Sequence, residues 1–124
     1  MKKRILIVED DNIAMTVHRI LMEELDCQVD CVTSGEMAIN STQNNQYDLI
    51  LMDLGLPGID GIETARKIRL FENENHKNIV PIVAVTGNAD PSQQALCMDA
   101  GMNDVIEKPL TLDIAKSIIS TRLA

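Results

Sequence analysis

The sequence predicts an α/β protein of a single domain, in which five βα units build a parallel sheet with helices on both faces. Two observations carry this prediction. Short apolar runs of strand length alternate with segments of helical periodicity along the whole chain. The chain has 124 residues, of which 45% are hydrophobic, so one core of ordinary size can form. Such alternation favours parallel strands that are joined by right-handed crossover connections.

Apolar runs, capping residues and chain breakers fix the boundaries of the predicted elements. Strands are predicted over residues 5–8, 28–32, 48–52, 81–85 and 104–107. Helices are predicted over residues 13–25, from 33–35 to 43, 62–71, 90–101 and from 111 to the chain end. The predicted capping residues include Asp11, Asp90 and Thr111, and Pro91 is suited to the first position of its helix.

The polarity of individual elements indicates where each one lies. The third strand is apolar on both faces, which is typical of a central parallel strand, whereas the second strand is more polar and is predicted near an edge. In the first helix, one apolar face is predicted from Ile13, Val17, Ile20, Leu21 and Leu25. His18 is assigned to an exposed face of that helix, and the polar residues 72–78 are assigned to a surface loop.

The composition excludes several classes of protein. The net charge is −8, so this segment is not expected to bind the phosphate backbone of nucleic acids directly. No apolar run approaches the ~18 residues of a membrane span, and the run after the basic N-terminus is too short for a signal peptide. We therefore expect a cytoplasmic domain without membrane contact. Three cysteines without a CxxC motif, Cys27, Cys31 and Cys97, are expected to be reduced thiols.

Polar residues cluster directly after four of the predicted strands. In open parallel sheets, functional sites lie outside the carboxyl ends of the strands. The residues at these positions are Glu9, Asp10 and Asp11 after the first strand, Asp53 after the third, Thr86 and Gly87 after the fourth, and Lys108 and Pro109 after the fifth. Each of them alone is an ordinary turn or helix start. Their coincidence at neighbouring strand ends predicts a site with several carboxylates, one hydroxyl and one ammonium.

This combination of groups is suited to phosphoryl transfer at a metal ion. Carboxylates that are packed together repel each other unless a cation offsets their charge, and Mg²⁺ is a hard cation that prefers oxygen ligands. Lys108 can pair with a carboxylate and later with a phosphoryl oxygen. Thr86 and backbone N–H groups near Leu54 and Gly87 can donate further hydrogen bonds. The central carboxylate, Asp53, is the candidate nucleophile and would form an acyl phosphate.

The residues at these strand ends resemble the response-regulator receiver family of two-component signalling, and the resemblance covers essentially the whole chain. The motifs that carry it are IVEDD at residues 7–11, DLILMDLGLPGIDG at 48–61, VAVTG at 83–87 and KP at 108–109. The resemblance implies a flavodoxin-like (βα)5 three-layer sandwich whose five parallel strands have the order 2-1-3-4-5. It also implies a phosphorelay domain, in which Mg²⁺-dependent transfer from phosphohistidine to Asp53 switches the surface used for partner binding.

The family resemblance implies a role for each site residue. Asp53 would accept the phosphoryl group, and Thr86 and Lys108 match the switch hydroxyl and the invariant lysine of the family. The implied Mg²⁺ ligands are the side chains of Glu9, Asp10 and Asp53 and the backbone carbonyl of Gly55, with Glu9 acting through water. The implied switch and partner surface comprises Thr86, Gly87, Val105 and Pro109. The peptide bond between Lys108 and Pro109 is expected to be cis, as in the family.

Within the family, residues 100–110 resemble receivers that are fused to hybrid sensor kinases, and the nearest type is the aerobic respiration control sensor kinase. Residues 1–124 are accordingly predicted to be a single receiver domain, excised from a longer hybrid histidine kinase in the inner membrane. A stand-alone receiver is the alternative. The expected partners are a histidine kinase, a histidine phosphotransfer domain or both, and the domain is expected to be a monomer or a weak dimer. A receiver catalyses its own phosphorylation and dephosphorylation, so its standing as an enzyme stays open, whereas a parent hybrid chain would be a histidine kinase.

Val105 is the main departure from the family pattern. It stands three residues before the lysine, where the family often has an aromatic residue, and a valine cannot make the same inward swing. Gly55 and Asn88 flank the site at positions that modulate hydrolysis of the acyl phosphate in the family, so the phosphorylated lifetime stays open. The seven methionines are predicted mostly to fill the core or the surface, and the alternative for Met98 and Met102 is the border of a partner surface.

Three other functions fit the sequence less well. A pseudo-receiver that signals without phosphorylation is expected to lack Asp53, Lys108 or the acidic pair, and all of these are present. A Mg²⁺-dependent phosphohydrolase with an aspartyl nucleophile places a second Asp two residues later, where this chain has Gly55. A flavin carrier needs a phosphate-binding loop after the first strand and aromatic residues beside the ring. Here Glu9 and its neighbours would repel phosphate, and aromatic residues make up only 2% of the chain.

Overall fold

Five strands and five helices alternate along the chain in the computed structural model, which describes residues 2–123. The strands are β1 (Arg4–Val8), β2 (Gln28–Val32), β3 (Leu49–Asp53), β4 (Ile82–Thr86) and β5 (Asp104–Glu107). The helices are α1 (Asn12–Glu24), α2 (Gly35–Asn44), α3 (Gly61–Glu74), α4 (Pro91–Asp99) and α5 (Leu112–Arg122). The five predicted βα units are therefore confirmed, with boundaries that move by a few residues.

The strands form one parallel sheet in the order β2-β1-β3-β4-β5, as predicted. Every residue of β3 and β4 is buried, because helices cover both faces of these central strands. Strand β2 lies at an edge and begins with the exposed Gln28, which confirms the position that its polarity predicts.

Each helix begins at a side chain that caps its first turn. The oxygens of Asp11, Ser34, Asp60, Asp90 and Thr111 each accept a hydrogen bond from the backbone N–H three residues later. Such caps contribute about 1 kcal/mol each, and they fix where the chain leaves each loop. Within residues 2–123, no helix is long and apolar enough to cross a membrane.

The alternation of side chains along the strands divides the core into two layers. On one side of the sheet, strand residues pack with Met22 of α1 and Ala115 of α5. On the other side, they pack with Ala38 of α2, Ala65 of α3 and Cys97 of α4. Two helices therefore cover one face and three helices cover the other, which confirms the three-layer sandwich.

The prediction that His18 lies on an exposed face of α1 is wrong, and of the predicted apolar face only Leu21 and Leu25 pack against the core. Ile13, Val17 and Ile20 are 75%, 44% and 51% exposed, whereas His18 and Met22 are buried against the sheet. Periodicity identifies an apolar face, but it does not say whether the sheet or another molecule covers that face. His18 is therefore a buried residue and not the exposed one that the sequence predicts.

The third helix is one turn longer than predicted. It ends at Glu74, whereas the prediction ends at residue 71 and treats the following polar residues as loop. The carboxylate of Glu72 is buried because it accepts hydrogen bonds from Arg69 Nη1 at 2.8 Å and from the backbone N–H of Val80 at 2.9 Å. These partners compensate the burial of a charged group, which polarity alone does not reveal.

Two expectations about sulfur-containing residues have different outcomes. Cys27, Cys31 and Cys97 are free thiols, as predicted, and burial raises the pKa of each of them. Met98 is 54% exposed and agrees with a surface position, whereas Met102 is buried in the core, so only the core alternative holds for it.

Candidate functional site

Three carboxylates meet at the carboxyl ends of β1 and β3. Side-chain oxygens of Glu9, Asp10 and Asp53 lie within 4.8 Å of one another. The strands place them there because Val8 and Met52 are register partners, so the next residues of both strands are neighbours. Glu9 is 1% exposed and Asp53 is 8% exposed, whereas Asp10 faces solvent. The predicted acidic cluster is therefore formed.

Lys108 lies between the two buried carboxylates. Its Nζ atom is 2.9 Å from Glu9 Oε1 and 3.5 Å from Asp53 Oδ1. The backbone N–H of Lys108 donates to the carbonyl of Thr86 at 2.7 Å, which holds the end of β5 beside β4. The following peptide bond to Pro109 is cis, as predicted. The structure thus confirms that one ammonium joins the carboxylates at the strand ends.

The charges of the cluster do not balance. Burial and the charge of Glu9 raise the pKa of Asp53, and the charge of Lys108 opposes this shift only in part. Burial by itself lowers the pKa of Lys108. The hydrogen bond to Glu9 and the charges of Asp53 and Glu9 outweigh it, so the pKa of Lys108 lies above its ordinary value. One ammonium faces three carboxylates, and such an oxygen-rich, anionic group of ligands fits a hard divalent cation.

The loop between β3 and α3 is shaped around Asp53. The backbone N–H of Gly55 lies near the Asp53 carboxylate and lowers its pKa. Gly61 packs directly behind this residue, since a Cβ atom at position 61 would collide with the backbone carbonyl oxygen of Asp53. Gly55 is exposed and has open space around it. Its carbonyl as a metal ligand stays a prediction.

The hydroxyl of Thr86 is bonded to its own loop and not to Asp53. Thr86 ends β4 and is 8% exposed. Its Oγ1 accepts from the backbone N–H of Asn88 at 3.2 Å and donates to the backbone carbonyl of Asn88 at 3.4 Å. The neighbouring Gly87 is exposed. The predicted contact of Thr86 with a phosphoryl oxygen therefore requires the hydroxyl to change partners.

Val105 and Pro109 complete the predicted switch surface. Val105 lies in β5, is half-buried and packs against the core layer under α2, α3 and α4. Pro109 is exposed after the cis bond. A β-branched side chain in a strand has few rotamers, so Val105 offers no large rotation that could report on the site.

His18 is a neighbour of the site that sequence reasoning missed. It is 5% exposed on the buried face of α1. Burial and the charge of Lys108 lower the pKa of His18, and the charge of Asp53 raises it. The imidazole therefore interacts electrostatically with both groups. The sequence feature that indicates burial of His18 is its spacing of four residues from Met22. This spacing places the two side chains on one face of the helix, and Met22 is buried.

A hydrogen-bonded chain of polar side chains follows β4. Asn88 was predicted to flank the site and Asp90 to cap a helix, but their connection was not predicted. Asn88, Asp90 and Ser92 follow Thr86 at intervals of two residues, and each is hydrogen-bonded to the next. The sequence carries the signal, because these polar residues alternate with Gly87, Ala89 and Pro91 in the segment TGNADPS.

Fold and site together define the class of protein. A parallel α/β domain that joins a buried aspartate, two flanking acids and a lysine at its strand ends has the parts of an aspartyl phosphoacceptor domain. A family model of the response regulator receiver domain matches residues 5–120. The chain belongs to the response regulator receiver family.

Similar proteins agree with this assignment. Hybrid signal transduction histidine kinase L of Dictyostelium discoideum is 36% identical over 119 residues, which are 94% of this chain and 7% of the kinase. The receiver domain of sensor histidine kinase PA1611 from Pseudomonas aeruginosa PAO1 is 36% identical, with a TM-score of 0.88 over 99% of this chain and 98% of that chain. That structure has a magnesium ion coordinated in its active site cleft.

A third match involves a phosphotransfer complex. It is the co-crystal structure of the Saccharomyces cerevisiae histidine phosphotransfer signaling protein Ypd1 and the receiver domain of its downstream response regulator Ssk1. This match is 30% identical, with a TM-score of 0.90 over 98% of this chain and 90% of that chain.

The similar proteins are mostly much longer than this chain. Across eight curated relatives, the chain spans 5% to 21% of the relative's length. They include two hybrid signal transduction histidine kinases of Dictyostelium discoideum. They do not confirm the finer likeness to the aerobic respiration control sensor type.

Proposed function

We propose that Asp53 accepts a phosphoryl group from a phosphohistidine of a partner protein in a Mg²⁺-dependent reaction. The observation that carries this proposal is the placement of the Lys108 ammonium between Glu9 and Asp53, beside the exposed carboxylate of Asp10. Phosphoryl transfer needs positioning and neutralisation of charge more than it needs additional covalent chemistry. The cluster provides both around one carboxylate.

The proposed step exchanges one bond to phosphorus for another. A carboxylate oxygen of Asp53 attacks the phosphorus atom in line with the imidazole nitrogen of the donor. The P–O bond forms as the P–N bond breaks, the electron pair of the P–N bond stays on the imidazole, and the imidazole takes up a proton from water. The products are an acyl phosphate and a neutral histidine.

The residues around Asp53 have separate tasks in this step. Lys108 keeps its charge because its pKa is raised, and it can follow a phosphoryl oxygen while it stays close to Glu9. The backbone N–H of Gly55 lies near the carboxylate of Asp53 and can donate to a phosphoryl oxygen there. The hydroxyl of Thr86 can donate to a second phosphoryl oxygen after it leaves Asn88.

The same cluster is the proposed magnesium site. Glu9, Asp10 and Asp53 and the backbone carbonyl of Gly55 would hold the ion, with Glu9 acting through water. When bound, Mg²⁺ supplies positive charge to the phosphoryl oxygens. The excess of carboxylates over ammonium groups supports this proposal.

The exposed apolar face of α1 is the proposed docking surface for the phosphohistidine partner. Ile13, Val17 and Ile20 form this α1 stripe, and it begins four residues after Glu9. A monomeric domain gains nothing from three exposed apolar side chains in line, so the stripe fits a partner helix next to the reacting group. The match to the Ypd1–Ssk1 co-crystal structure supports a histidine phosphotransfer domain as the occupant.

For the whole protein, we propose a hybrid histidine kinase on the cytoplasmic side of a membrane, of which this chain is the receiver module. The short fraction of each curated relative that the chain spans supports the module. Cytoplasmic placement follows from the donor, since phosphohistidine is formed from ATP. We propose a monomer or weak dimer that does not bind nucleic acid, in line with the net charge of −8.

The test is phosphorylation by acetyl phosphate in the presence of Mg²⁺, followed by intact mass. The expected result is one phosphoryl adduct on the parent domain, none on Asp53→Asn and none in the presence of a chelator. Asp48→Asn is the matched control, because Asp48 precedes β3 at its opposite end and its side chain accepts a hydrogen bond from the backbone N–H of Arg4, far from Asp53. It should be phosphorylated like the parent. An adduct that persists in Asp53→Asn would contradict the proposal, as would a parent that binds neither phosphoryl group nor beryllofluoride.

A further inference from the structure

A groove of about 850 Å³ lies at the amino ends of the strands, at the edge of the sheet opposite Asp53. It is lined by residues 2–4 and 42–48, by residues within the segment 68–81, and by residues 122–123. Arg4 begins β1 and Asp48 precedes β3, whereas Glu9 and Asp53 lie at the other ends of the same strands. A molecule that occupies the groove therefore leaves the phosphoacceptor accessible.

The groove is a basic region on an acidic domain. It is lined by five basic and two acidic side chains, which are Lys2, Lys3, Arg4, Lys77 and Arg122 and Asp48 and Glu72. The chain has 11 basic and 19 acidic residues, so six basic and 17 acidic residues lie outside the groove. The formal charge is thus +3 in the groove and −11 in the remainder of the domain. This separation of charge favours an anionic partner at the groove.

The two acids of the groove are occupied within the domain. Asp48 Oδ2 accepts a hydrogen bond from the backbone N–H of Arg4 at 2.8 Å. Glu72 is buried, and both of its carboxylate oxygens accept hydrogen bonds. Lys3 and Lys77 are exposed, and neither forms an ion pair within the part of the chain that the structure describes. Their ammonium groups are therefore available to the carboxylates of a partner.

The two arginines of the groove are held in place by the domain. The guanidinium of Arg4 lies 5.1 Å from the centroid of the Tyr47 ring, and its Nη2 donates to Asp30 Oδ2 at 3.0 Å. Arg122 Nη2 donates to the carbonyl of Asn103 at 2.8 Å. A guanidinium has five N–H donors, so each arginine keeps donors for a carboxylate while its side chain is already ordered.

Ile79 projects from a loop at the groove that is fixed at both ends. The backbone N–H of Lys77 donates to the carbonyl of Glu72 at 2.9 Å, and the backbone N–H of Val80 donates to Glu72 Oε2 at 2.9 Å. Ile79 lies between these two anchored residues and is 74% exposed. The domain thus presents an apolar side chain in a defined place, two residues from the ammonium of Lys77.

We propose that this groove binds an acidic segment of a partner protein. Carboxylates of the segment lie against Lys3, Lys77 and Arg122, and an apolar side chain of the segment packs on Ile79. The complementary charge and the exposed isoleucine carry this proposal together. It is independent of the proposed phosphorylation, because the groove and Asp53 lie at opposite edges of the sheet.

The polarity of the groove favours a protein segment over a small anion. Small-molecule sites are mostly apolar and enclose most of the ligand. This groove lies at the surface, and it is also lined by five amide side chains, those of Gln43, Asn44, Asn45, Gln46 and Asn78. Amide groups both donate and accept hydrogen bonds, which suits the backbone of an extended segment.

The first experiment titrates the ¹⁵N-labelled domain with a six-residue peptide of four glutamates and two leucines, which has acetyl and amide ends. The expected result is a set of amide shifts that is concentrated at the groove, with a dissociation constant on the order of 0.1–1 mM. Binding should weaken about fivefold or more when the salt concentration rises from about 50 mM to about 500 mM, because exposed charges are screened. Shifts that concentrate at α1 or at the acidic cluster overturn the proposal.

Charge reversal separates the groove from the net charge of the domain. Lys77→Glu should raise the dissociation constant of the peptide about three- to tenfold, since a repulsion replaces an ion pair. Lys116→Glu makes the same change in net charge at an exposed position of α5 outside the groove, and it should change the constant by less than about twofold. A structural role of Lys77 alone, at the C-terminal end of α3, would change stability and not peptide binding. An unchanged constant in Lys77→Glu, or equal losses in the two variants, overturns the proposal.

The apolar contact and the kind of ligand have their own tests. Ile79→Ala should weaken peptide binding about threefold, whereas Leu70→Ala, which removes an exposed leucine outside the groove, should not. A peptide with glutamine in place of each glutamate should not bind. Equal binding of that peptide, or an unchanged constant in Ile79→Ala, contradicts the proposed contacts. If inorganic pyrophosphate displaces the peptide and binds as tightly, the groove is a site for small anions and the assignment to a protein segment is overturned.

Discussion

The ammonium of Lys108 lies 2.9 Å from Glu9 Oε1 and 3.5 Å from Asp53 Oδ1, so in the resting domain it binds the carboxylate of β1 more closely than the phosphoacceptor. Glu9 is the more deeply buried of the two acids and has the greater need of a partner. Asp53 is left with a weaker ion pair and a raised pKa. Because Lys108 binds Glu9 more closely than Asp53, the ion pair to Lys108 does not fully occupy the carboxylate of Asp53.

Substitution of Lys108 should reveal the electrostatic strain of the cluster. Lys108→Met leaves the buried carboxylate of Glu9 without the Lys108 ammonium. When a chelator keeps the domain free of metal, this substitution should lower the free energy of unfolding by about 3 kcal/mol. Lys116→Met, at an exposed position of α5, should change it by less than about 0.5 kcal/mol. Urea unfolding measures both values. Equal effects of the two substitutions would show that Lys108 does not offset the buried charge.

The stability of the metal-free domain should depend on the ionisation of Asp53. Its pKa in the folded state is raised above the ordinary 3.8, so the folded state binds this proton more tightly than the unfolded state does. The contribution of this proton to the free energy of unfolding is fully present at pH values below the ordinary pKa of 3.8. It is lost as the pH rises through the raised pKa of folded Asp53. Asp53→Asn removes the buried charge, so this variant should be more stable than the parent at pH 7.

The free energies of unfolding of the parent and of Asp53→Asn, measured between acidic and neutral pH, test whether the ionised Asp53 destabilises the folded domain. The difference in free energy of unfolding should grow as the pH rises and level off above the raised pKa. A difference that does not change with pH, or that favours the parent at pH 7, would contradict it.

Mg²⁺ should stabilise the domain through its acidic cluster. At a free concentration ten times the dissociation constant, a single site adds about 1.4 kcal/mol, which raises Tm by about 5 °C in a domain of this size. Asp10→Asn should lose most of this shift. Asp11→Asn is the matched control, because Asn caps a helix as well as Asp does, and it should keep the shift. Equal Mg²⁺ responses of the two variants would place the ion elsewhere.

The α1 stripe should matter for protein donors only. Ile13→Ala should lower kcat/KM for transfer from a phosphohistidine protein about tenfold, since the side chain is 75% exposed and available to a partner. Phosphorylation by acetyl phosphate should be unchanged, because that donor needs no docking. Leu70→Ala removes a comparably exposed residue of α3 and should affect neither reaction. Loss of both activities in Ile13→Ala would indicate damage to the site instead of docking.

Gly61 should tolerate no side chain. In Gly61→Ala, the new Cβ collides with the carbonyl oxygen of Asp53, so the free energy of unfolding should fall by about 2 kcal/mol or more. Gly87→Ala adds a Cβ where no atom lies within 4 Å, and its effect on stability should stay below about 1 kcal/mol. Chemical denaturation compares the two. A Gly61→Ala domain of unchanged stability would show that the loop moves aside at little cost.

The sequence predicts the strand-end chemistry well because position along a parallel sheet determines proximity. Glu9 and Asp53 directly follow apolar runs, and Lys108 directly follows the last predicted strand. The sheet order brings those ends together without any information on side-chain packing. The orientation of α1 was not predictable in the same way. Two faces of this helix carry apolar residues, and only packing decides that His18 and Met22 enter the core while Ile13 stays exposed.

Buried polar groups were missed for a related reason. The end of α3 depends on Arg69 and on the backbone of Val80, which lie beside the carboxylate of Glu72 only in the folded chain. The resting bond of Thr86 to Asn88 is local, but propensity does not distinguish it from an ordinary loop. Sequence patterns thus predict well which residues come close together. They predict poorly which hydrogen-bond partner each polar group has.

The contact of Lys108 with Glu9 joins residues that are 99 positions apart. Closing so long a loop costs chain entropy, and that cost is recovered only once the last strand has paired with β4. A chain folded only as far as β4 would hold the three carboxylates without their ammonium. The site gains its ammonium only when β5 has paired with β4. The capacity to take up a phosphoryl group therefore depends on the folding of the last βα unit.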